Sequence, residues 1–165
     1  MKKISLIVWL ILTLIFAPLG QAASDDTCAA VGYFDEPSVI GSLSVTNVGC
    51  TPKLVILYAS RGIADGSNTN FTMMYGVGTS STQQGVIAWV STDNIALTAT
   101  KRIKDNSNIL QRFLNGGGLV VATASLTSLD SNGFTLDFTK VPVAVQAINY
   151  LVIGGTNVSA YVGTN

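Results

Sequence analysis

The stretch that decides the fold is Asp130-Ser131-Asn132-Gly133-Phe134-Thr135-Leu136-Asp137-Phe138. Asn-Gly is a strong signal for a tight hairpin turn, so the chain is expected to reverse direction there. After the turn, apolar and polar side chains alternate, and Phe134, Leu136 and Phe138 form the apolar face. This period of two predicts a β-strand with one buried and one solvated face. Residues 130–133 also resemble half of a calcium loop, but the rest of an oxygen ligand set is missing.

Short strands separated by turn residues recur from about residue 38 to the end of the chain. The predicted strands span residues 42–46, 53–59, 71–77, 85–90, 119–124, 134–138, 147–153 and 158–162. Residues 108–114 fit either a helix or the first strand of a hairpin with residues 119–124, and we favour the hairpin because the neighbouring segments are β-like. About eight short strands predict an all-β fold, an antiparallel β-sandwich or jelly roll, whose main body is residues 52–165.

The first residues have the layout of a secretory signal. Two lysines precede residues 4–16, which are apolar apart from Ser5 and Thr13, and small residues allow cleavage after Ala22 or Ala23. The alternative is a retained membrane anchor, but the apolar run is shorter than the about 20 residues that a spanning helix needs. We therefore predict that residues 1–23 are cleaved, that the mature protein is extracellular, and that only this signal meets the membrane.

The chain contains two cysteines, Cys28 and Cys50. In an oxidising compartment a disulfide is the expected state of such a pair. It would tie a predicted N-terminal arm and first strand, residues 24–51, to the sandwich within one domain. Two thiols without histidine do not make a zinc site of ordinary spacing, and a redox pair favours Cys-x-x-Cys. We therefore predict a structural bridge.

The charge composition excludes several function classes. The chain has nine basic residues, nine acidic residues, no histidine and 11% charged residues. Absence of histidine excludes Ser-His-Asp and Cys-His nucleophilic sites and His-ligated metals. Loss of the two signal lysines leaves seven basic against nine acidic residues, a net charge of −2 (7 − 9), which argues against a nucleic-acid partner. We expect no catalysis, no cofactor and no metal, and a low-charge surface that favours packing between copies.

Two charged clusters have both a functional and a plainer interpretation. The acidic cluster consists of Asp25, Asp26, Asp35 and Glu36. A solvated arm is the favoured interpretation, and a metal site is the alternative. The basic residues of the segment 101–104 would bind a polyanion or an acidic partner surface, or they belong to a solvated loop with Asp105 as counter-charge. We favour the solvated loop.

From Pro52 to Gly155 the chain resembles an uncharacterised module of phage-encoded and bacterial proteins. The resemblance is carried by the apolar strand 53–58, Tyr75-Gly76-Val77-Gly78, Ala88-Trp89-Val90-Ser91, the turn and strand 130–136, and the closing Tyr150-Leu151-Val152-Ile153-Gly154-Gly155. It implies a β-sandwich, often in virion or surface-associated proteins, without established catalysis and without functional residues to transfer. The export signal and the cysteine-bearing arm depart from that pattern, and they favour a free-standing extracellular protein.

The leading expectation is a secreted structural protein that self-assembles, as a homo-oligomer or polymer, into an extracellular filament or surface coat. Sheet edges with few charges can pair with another copy by β-strand addition. The N-terminal arm is one candidate for the added strand, and the final strand, with Val158, Ala160 and Val162 on one face, is the other. The alternative function is a carbohydrate-binding, lectin-like or surface-adhesion module that holds a surface glycan on Trp89 and Tyr75. Packing within the core or on a sheet face is the plainer role for Trp89.

Overall fold

A computed structural model shows an all-β protein and describes residues 26–60, 70–92, 99–114 and 118–163. The strands are β1 (Thr27–Asp35), β2 (Gly41–Thr46), β3 (Pro52–Ser60), β4 (Asn70–Gly78), β5 (Gln84–Thr92), β6 (Ala99–Asp105), β7 (Leu110–Phe113), β8 (Val120–Asp130), β9 (Gly133–Lys140) and β10 (Ala147–Gly155). Across these described ranges, no helix has the length and apolar character needed to cross a membrane. The predicted signal, residues 1–23, lies outside the described residues.

Two antiparallel sheets form a β-sandwich, which confirms the predicted fold class. The six-stranded sheet has the order β1-β10-β3-β4-β5-β6, and the four-stranded sheet has the order β2-β9-β8-β7. Strands β3 to β6 pair in chain order as a meander, and so do β7 to β9. The described residues contain ten strands rather than about eight. The predicted arm contains β1, the predicted solvated loop is β6, residues 110–113 form β7, and the predicted final strand 158–162 is absent.

The residues that decide the fold behave as expected. Phe134, Leu136 and Phe138 of β9 are buried between the sheets. The ring of Phe134 meets that of Tyr150 edge to face, with 5.6 Å between centroids, so an aromatic pair joins one sheet to the other. Burial of each of these large side chains contributes about 1.5–3 kcal/mol relative to exposure, which is why the alternation sets the orientation of β9.

The predicted turn at residues 130–133 is confirmed as a hairpin. Asp130 pairs with Gly133, and residues 131–132 form the tip. An oxygen of the Asp130 carboxylate accepts a hydrogen bond from the Thr135 hydroxyl at 2.9 Å, so the acid serves the hairpin itself. The side-chain oxygen of Asn132 accepts from the Gly49 amide at 2.5 Å and anchors the loop before β3.

Residues 108–114 also follow the favoured interpretation. Strand β7 pairs antiparallel with β8, and Leu110 lies opposite Ala124. The tip of that hairpin, residues 115–117, lies outside the described residues. Both Leu110 and Phe113 are buried, because β7 covers the inner face of β4 and β5.

A buried glutamine links the two sheets. Gln84, at the start of β5, is 1% exposed and reaches Leu126 of β8. Its amide nitrogen donates to the Leu126 carbonyl at 3.2 Å, and its side-chain oxygen accepts from the Leu126 amide at 2.7 Å. Leu126 lies beyond the reach of the short β7, so the glutamine replaces a missing neighbouring strand. A buried amide paired in this way satisfies both backbone groups of Leu126 in β8.

Candidate assembly surface

The first candidate site is the outermost strand of the six-stranded sheet, β1. It is nine residues long and pairs along its full length with β10. Its residues alternate between exposed and half-buried side chains, and Val31 and Tyr33 are 76% and 69% exposed. The segment predicted as an N-terminal arm is therefore, from residue 27 to residue 35, an integral edge strand of its own sheet.

Hydrogen bonds at both ends of β1 establish which backbone groups face outward. The Thr156 amide donates to the Asp26 carbonyl at 3.0 Å, and the Glu36 amide donates to the Gln146 carbonyl at 3.0 Å. Every second residue of an antiparallel pair bonds to the partner strand, so the even-numbered residues from 26 to 36 face β10. The residues whose N–H and C=O point to the opposite side are Thr27, Ala29, Val31, Tyr33 and Asp35. We call this row the free edge of β1, because no described strand pairs with it.

A disulfide holds the beginning of β1. Cys28 is bonded to Cys50, with 5.8 Å between the Cα atoms, so the predicted bridge is confirmed. Cys50 is buried in the loop that leads into β3, and this loop is itself anchored on the β8–β9 hairpin. The edge strand therefore cannot peel away from the body of the domain at this end without breaking a covalent bond.

A buried ion pair holds the other end of β1. Glu36 is 2% exposed, and its carboxylate accepts from Arg112 Nε at 2.9 Å and Nη2 at 2.7 Å. It also accepts from the Gln146 amide at 3.1 Å, while Arg112 donates to the Ala144 carbonyl at 3.2 Å. Arg112 belongs to β7 of the other sheet, so this pair ties the two sheets together. The solvated interpretation of Glu36 was wrong, because a bidentate partner from a distant strand compensates its burial.

The other members of the acidic cluster do not join Glu36. Asp26 and Asp35 are exposed at opposite ends of β1, and Asp25 lies outside the described residues. Among the described residues, no three potential ligands of the His, Cys, Asp and Glu types come together.

The remaining sheet edges differ from β1. The opposite edge of the same sheet is β6, which carries Lys101, Arg102 and Lys104 within seven residues. The prediction of a solvated loop was wrong, because these residues pair with β5. Charges on an edge strand oppose pairing with another chain. In the four-stranded sheet the edges are shorter, six residues in β2 and four in β7.

The second candidate site is the outer face, which we define as the outward-pointing side chains of the six-stranded sheet. One cross-strand row runs through Tyr33, Asn149, Tyr58, Tyr75, Ile87 and Lys104. The next row contains Ser60, Met73, Trp89 and Arg102. Tyr75 is 43% exposed and Trp89 is half-buried. The two residues predicted as a ligand platform therefore share this face as diagonal neighbours on β4 and β5, and Trp89 packs on the sheet face rather than in the core.

The C-terminal tail, residues 156–163, is the element that sequence reasoning placed wrongly. Residues 158–163 do not form a strand in the described structure. Val158, Ala160 and Val162 are half-buried while Ser159, Tyr161 and Gly163 are exposed, so the predicted alternation of burial is present. Val162 and Gly163 line a cavity of about 220 Å³ together with Tyr75, Ile87 and Lys104. The tail thus leaves β10 and crosses the outer face of its own sheet instead of joining an edge.

These features define a β-sandwich that offers one held, open strand edge and one apolar sheet face. The edge presents backbone groups and the face presents side-chain surface, and among the described residues neither gathers an acid–base pair. No protein-family model, curated protein or solved structure matches the chain. The resemblance of residues 52–155 to a phage-encoded and bacterial module stays a prediction.

Proposed function

We propose that this chain is a secreted structural protein whose copies assemble into an extracellular filament or coat by strand addition at β1. The observation that carries the proposal is the free edge of β1, a row of backbone donors and acceptors that no described strand satisfies. Unpaired edges of this kind are templates for pairing with another chain.

Both ends of β1 are held in place, which supports a role of this edge in binding, because an edge strand without a role could fray. The disulfide at Cys28 and the ion pair at Glu36 keep the strand extended before any partner arrives. Association costs free energy for every segment that must be ordered, so an edge already in its bound conformation binds more tightly. The charged β6 and the short β2 and β7 direct pairing towards β1.

A second copy fits the free edge in a self-complementary register. If two β1 strands pair antiparallel about Val31, Tyr33 of one copy lies opposite Ala29 of the other, and Asp35 lies opposite Thr27. The small Ala29 leaves space for the tyrosine ring, and no like charges meet. Five outward residues in each strand would form about ten hydrogen bonds, because each bonded pair of residues exchanges two. The two six-stranded sheets would then become one continuous sheet.

Secretion is part of the proposal. The disulfide is compatible with an extracellular location, because such bonds persist in oxidising compartments. The predicted signal at residues 1–23 supplies the route. A mass measurement on the exported protein tests this step, and a mature chain that begins at residue 23 or 24 is expected.

The test of the edge is Val31→Pro. Val31 directs its amide to the free edge, so proline removes a donor for assembly and no bond to β10. We expect the variant to lose filaments in negative-stain electron microscopy while its circular dichroism stays native. Val31→Ala is the matched control, because it shortens the same side chain and keeps the amide. Filaments of normal length from Val31→Pro would disprove strand addition at β1.

A further inference from the structure

We propose that the outer face binds the outer face of a second copy, and that Tyr161 of each copy enters a recess formed by Phe71, Met73 and Trp89 of the other. The inference rests on the proposed function in that it supplies a second contact for the same assembly. A β1–β1 contact related by a two-fold axis ends at a dimer, so a filament needs another interface. The observations that carry this second interface are independent of the free edge of β1.

The outer face has the composition of a protein–protein interface. The four central strands are β10, β3, β4 and β5. In the cross-strand rows that pass through Phe71 to Val77 of β4, their outward side chains are apolar or polar without charge. Its charged side chains lie on the two outermost strands, Asp35 on β1 and Arg102 and Lys104 on β6. An apolar centre with a charged rim is the usual anatomy of a specific interface. Large contiguous exposed apolar patches mark interaction sites.

The relief of the outer face is self-complementary. The C-terminal tail crosses from β10 towards β6, about 19 Å for four strand spacings, which its eight residues can span. It makes a ridge over the half of the face near Val77 and Gly85. The other half, which carries Tyr58, Tyr75 and Met73, remains exposed and forms a trough. When a second copy is rotated by 180° and placed on this face, the ridge of each copy can enter the trough of the other.

Tyr161 is the projecting residue of the ridge. It is 76% exposed, whereas its neighbours Ala160 and Val162 are half-buried against the sheet. A recess of about 330 Å³ lies in the trough, and it is lined by Phe71, Met73, Trp89, Val90, Ser91 and Thr100. Aromatic rings and a methionine sulfur form good contacts with an incoming tyrosine ring. Within one copy the tail lies on the other side of the Tyr75 row, so its own Tyr161 does not occupy this recess.

One symmetry operation brings the two features together. A two-fold axis that lies in the interface, runs across the strands and passes over Tyr75 keeps each strand above its counterpart and exchanges the two halves of the face. Both the ridge near Val162 and the recess near Trp89 lie over β4 to β6, so each ridge then meets the partner's recess. The contact is isologous, because Tyr161 of each copy enters the same recess of the other copy.

The size of the outer face is adequate for a stable dimer. Six strands span about 24 Å, and nine-residue strands are about 30 Å long, which gives a face of roughly 700 Å² per copy. Standard interfaces bury about 800 Å² per partner. Together with β1 pairing, this contact would alternate two different two-fold interfaces along an open polymer.

The experiment measures association in the Val31→Pro protein, in which the edge contact is blocked and both Tyr161 and its recess are kept. Sedimentation over a range of concentrations is expected to show a reversible dimer. Each dimer contains two Tyr161 contacts, so Tyr161→Ala in this background should raise the dissociation constant about 1,000-fold, about 30-fold for each hot spot lost. Tyr161→Phe is the matched control and should leave the constant within about threefold, because it keeps the ring.

A mixing test separates a direct contact from a general effect on folding. Met73→Lys places a charge in the recess and leaves Tyr161 intact, whereas Tyr161→Ala leaves the recess intact. A mixture should form more heterodimers than random pairing gives, because only the heterodimer keeps one complete knob-and-recess contact. Native mass spectrometry of the mixture measures the ratio, and a statistical ratio would overturn the proposal.

The outcomes distinguish this inference from the proposed function. An unchanged dissociation constant in Tyr161→Ala would disprove the face contact, whatever Val31→Pro does to filaments. Filaments that survive Val31→Pro and disappear in Tyr161→Ala would disprove the edge contact, keep the face contact and require a different second interface. A monomer at all concentrations that binds a glycan through Trp89 on an array would overturn the inference and identify the outer face as a carbohydrate platform.

Discussion

Replacement of Glu36 by alanine removes the carboxylate that forms an ion pair with Arg112 of the other sheet. Arg112 is 7% exposed, and in the variant it keeps its hydrogen bond to the Ala144 carbonyl but has no carboxylate beside it. An uncompensated buried charge of this kind costs about 3–5 kcal/mol. The Gln146 amide also loses its carboxylate partner. The expected loss is a large part of the about 5–15 kcal/mol that stabilises a domain of this size.

Equilibrium unfolding in urea measures this loss with the disulfide intact. Fluorescence of Trp89 reports the transition, because the other tryptophan of the chain, Trp9, lies in the predicted signal. With a denaturant slope of about 2 kcal/mol per molar, the midpoint should fall by about 1.5–2.5 M. Hydrogen exchange should show the largest loss of protection at the Phe34 amide near the end of β1, because Phe34 faces β10 and the ion pair holds that end.

A double replacement tests the reasoning. Glu36→Leu together with Arg112→Met fills the site with apolar side chains and leaves no unpaired charge. We expect the double variant to be at least about 2 kcal/mol more stable than Glu36→Ala, because a buried ion pair is often replaceable by apolar groups as a unit. A double variant as unstable as the sum of the two single variants would show that the charges are not coupled.

Three further predictions concern stability. Cys28→Ser with Cys50→Ser should lower the unfolding free energy by about 3 kcal/mol in non-reducing urea titrations, and an unchanged midpoint would contradict a structural bridge. Gly155→Ala should lower the unfolding free energy by more than about 1 kcal/mol in the same titration, because φ there is +114° and a Cβ would lie 1.5 Å from the backbone oxygen of Asp26. Gly163→Ala is the control and should leave the unfolding free energy unchanged, because a Cβ there makes no such contact. Gln84→Ala should cost at least about 2 kcal/mol by thermal unfolding, because it leaves buried backbone groups of β8 unsatisfied, and a change within 1 °C would refute that role.

Local patterns were sufficient wherever one face of a strand is buried and the other is solvated. Residues 134–138 alternate with large apolar side chains, so both the strand and its buried face were predictable. The signal is weak in β1, where Ala29, Ala30 and Gly32 contribute little apolar contrast. It is hidden in β6, where three cations in seven residues are typical of a loop. Both are strands because a neighbouring strand supplies their hydrogen bonds, and the residues near β1 and β6 in the sequence do not show which strand that is.

The candidate surfaces show the same division. Trp89 and Tyr75 were predicted from residue type alone, but their shared face depends on the register between β4 and β5. The alternation of Val158, Ala160 and Val162 is real, yet their apolar side lies on a sheet face and not in a ladder. No pattern in the sequence marked Tyr161 as a contact residue, because its proposed role depends on where the tail crosses the sheet.

The sequence by itself determined the β class, the tight turn at residues 131–132, the confirmed Cys28–Cys50 bridge and the scarcity of charge. Each of these depends on residue type and near neighbours, through side-chain alternation, turn chemistry and the oxidation of paired thiols. Tertiary structure alone decided that β1 is an edge with unpaired backbone groups, that Glu36 is buried against Arg112 and that the C-terminal tail covers half of the outer face. Those properties depend on which strands become neighbours, and that pairing joins residues far apart in the chain.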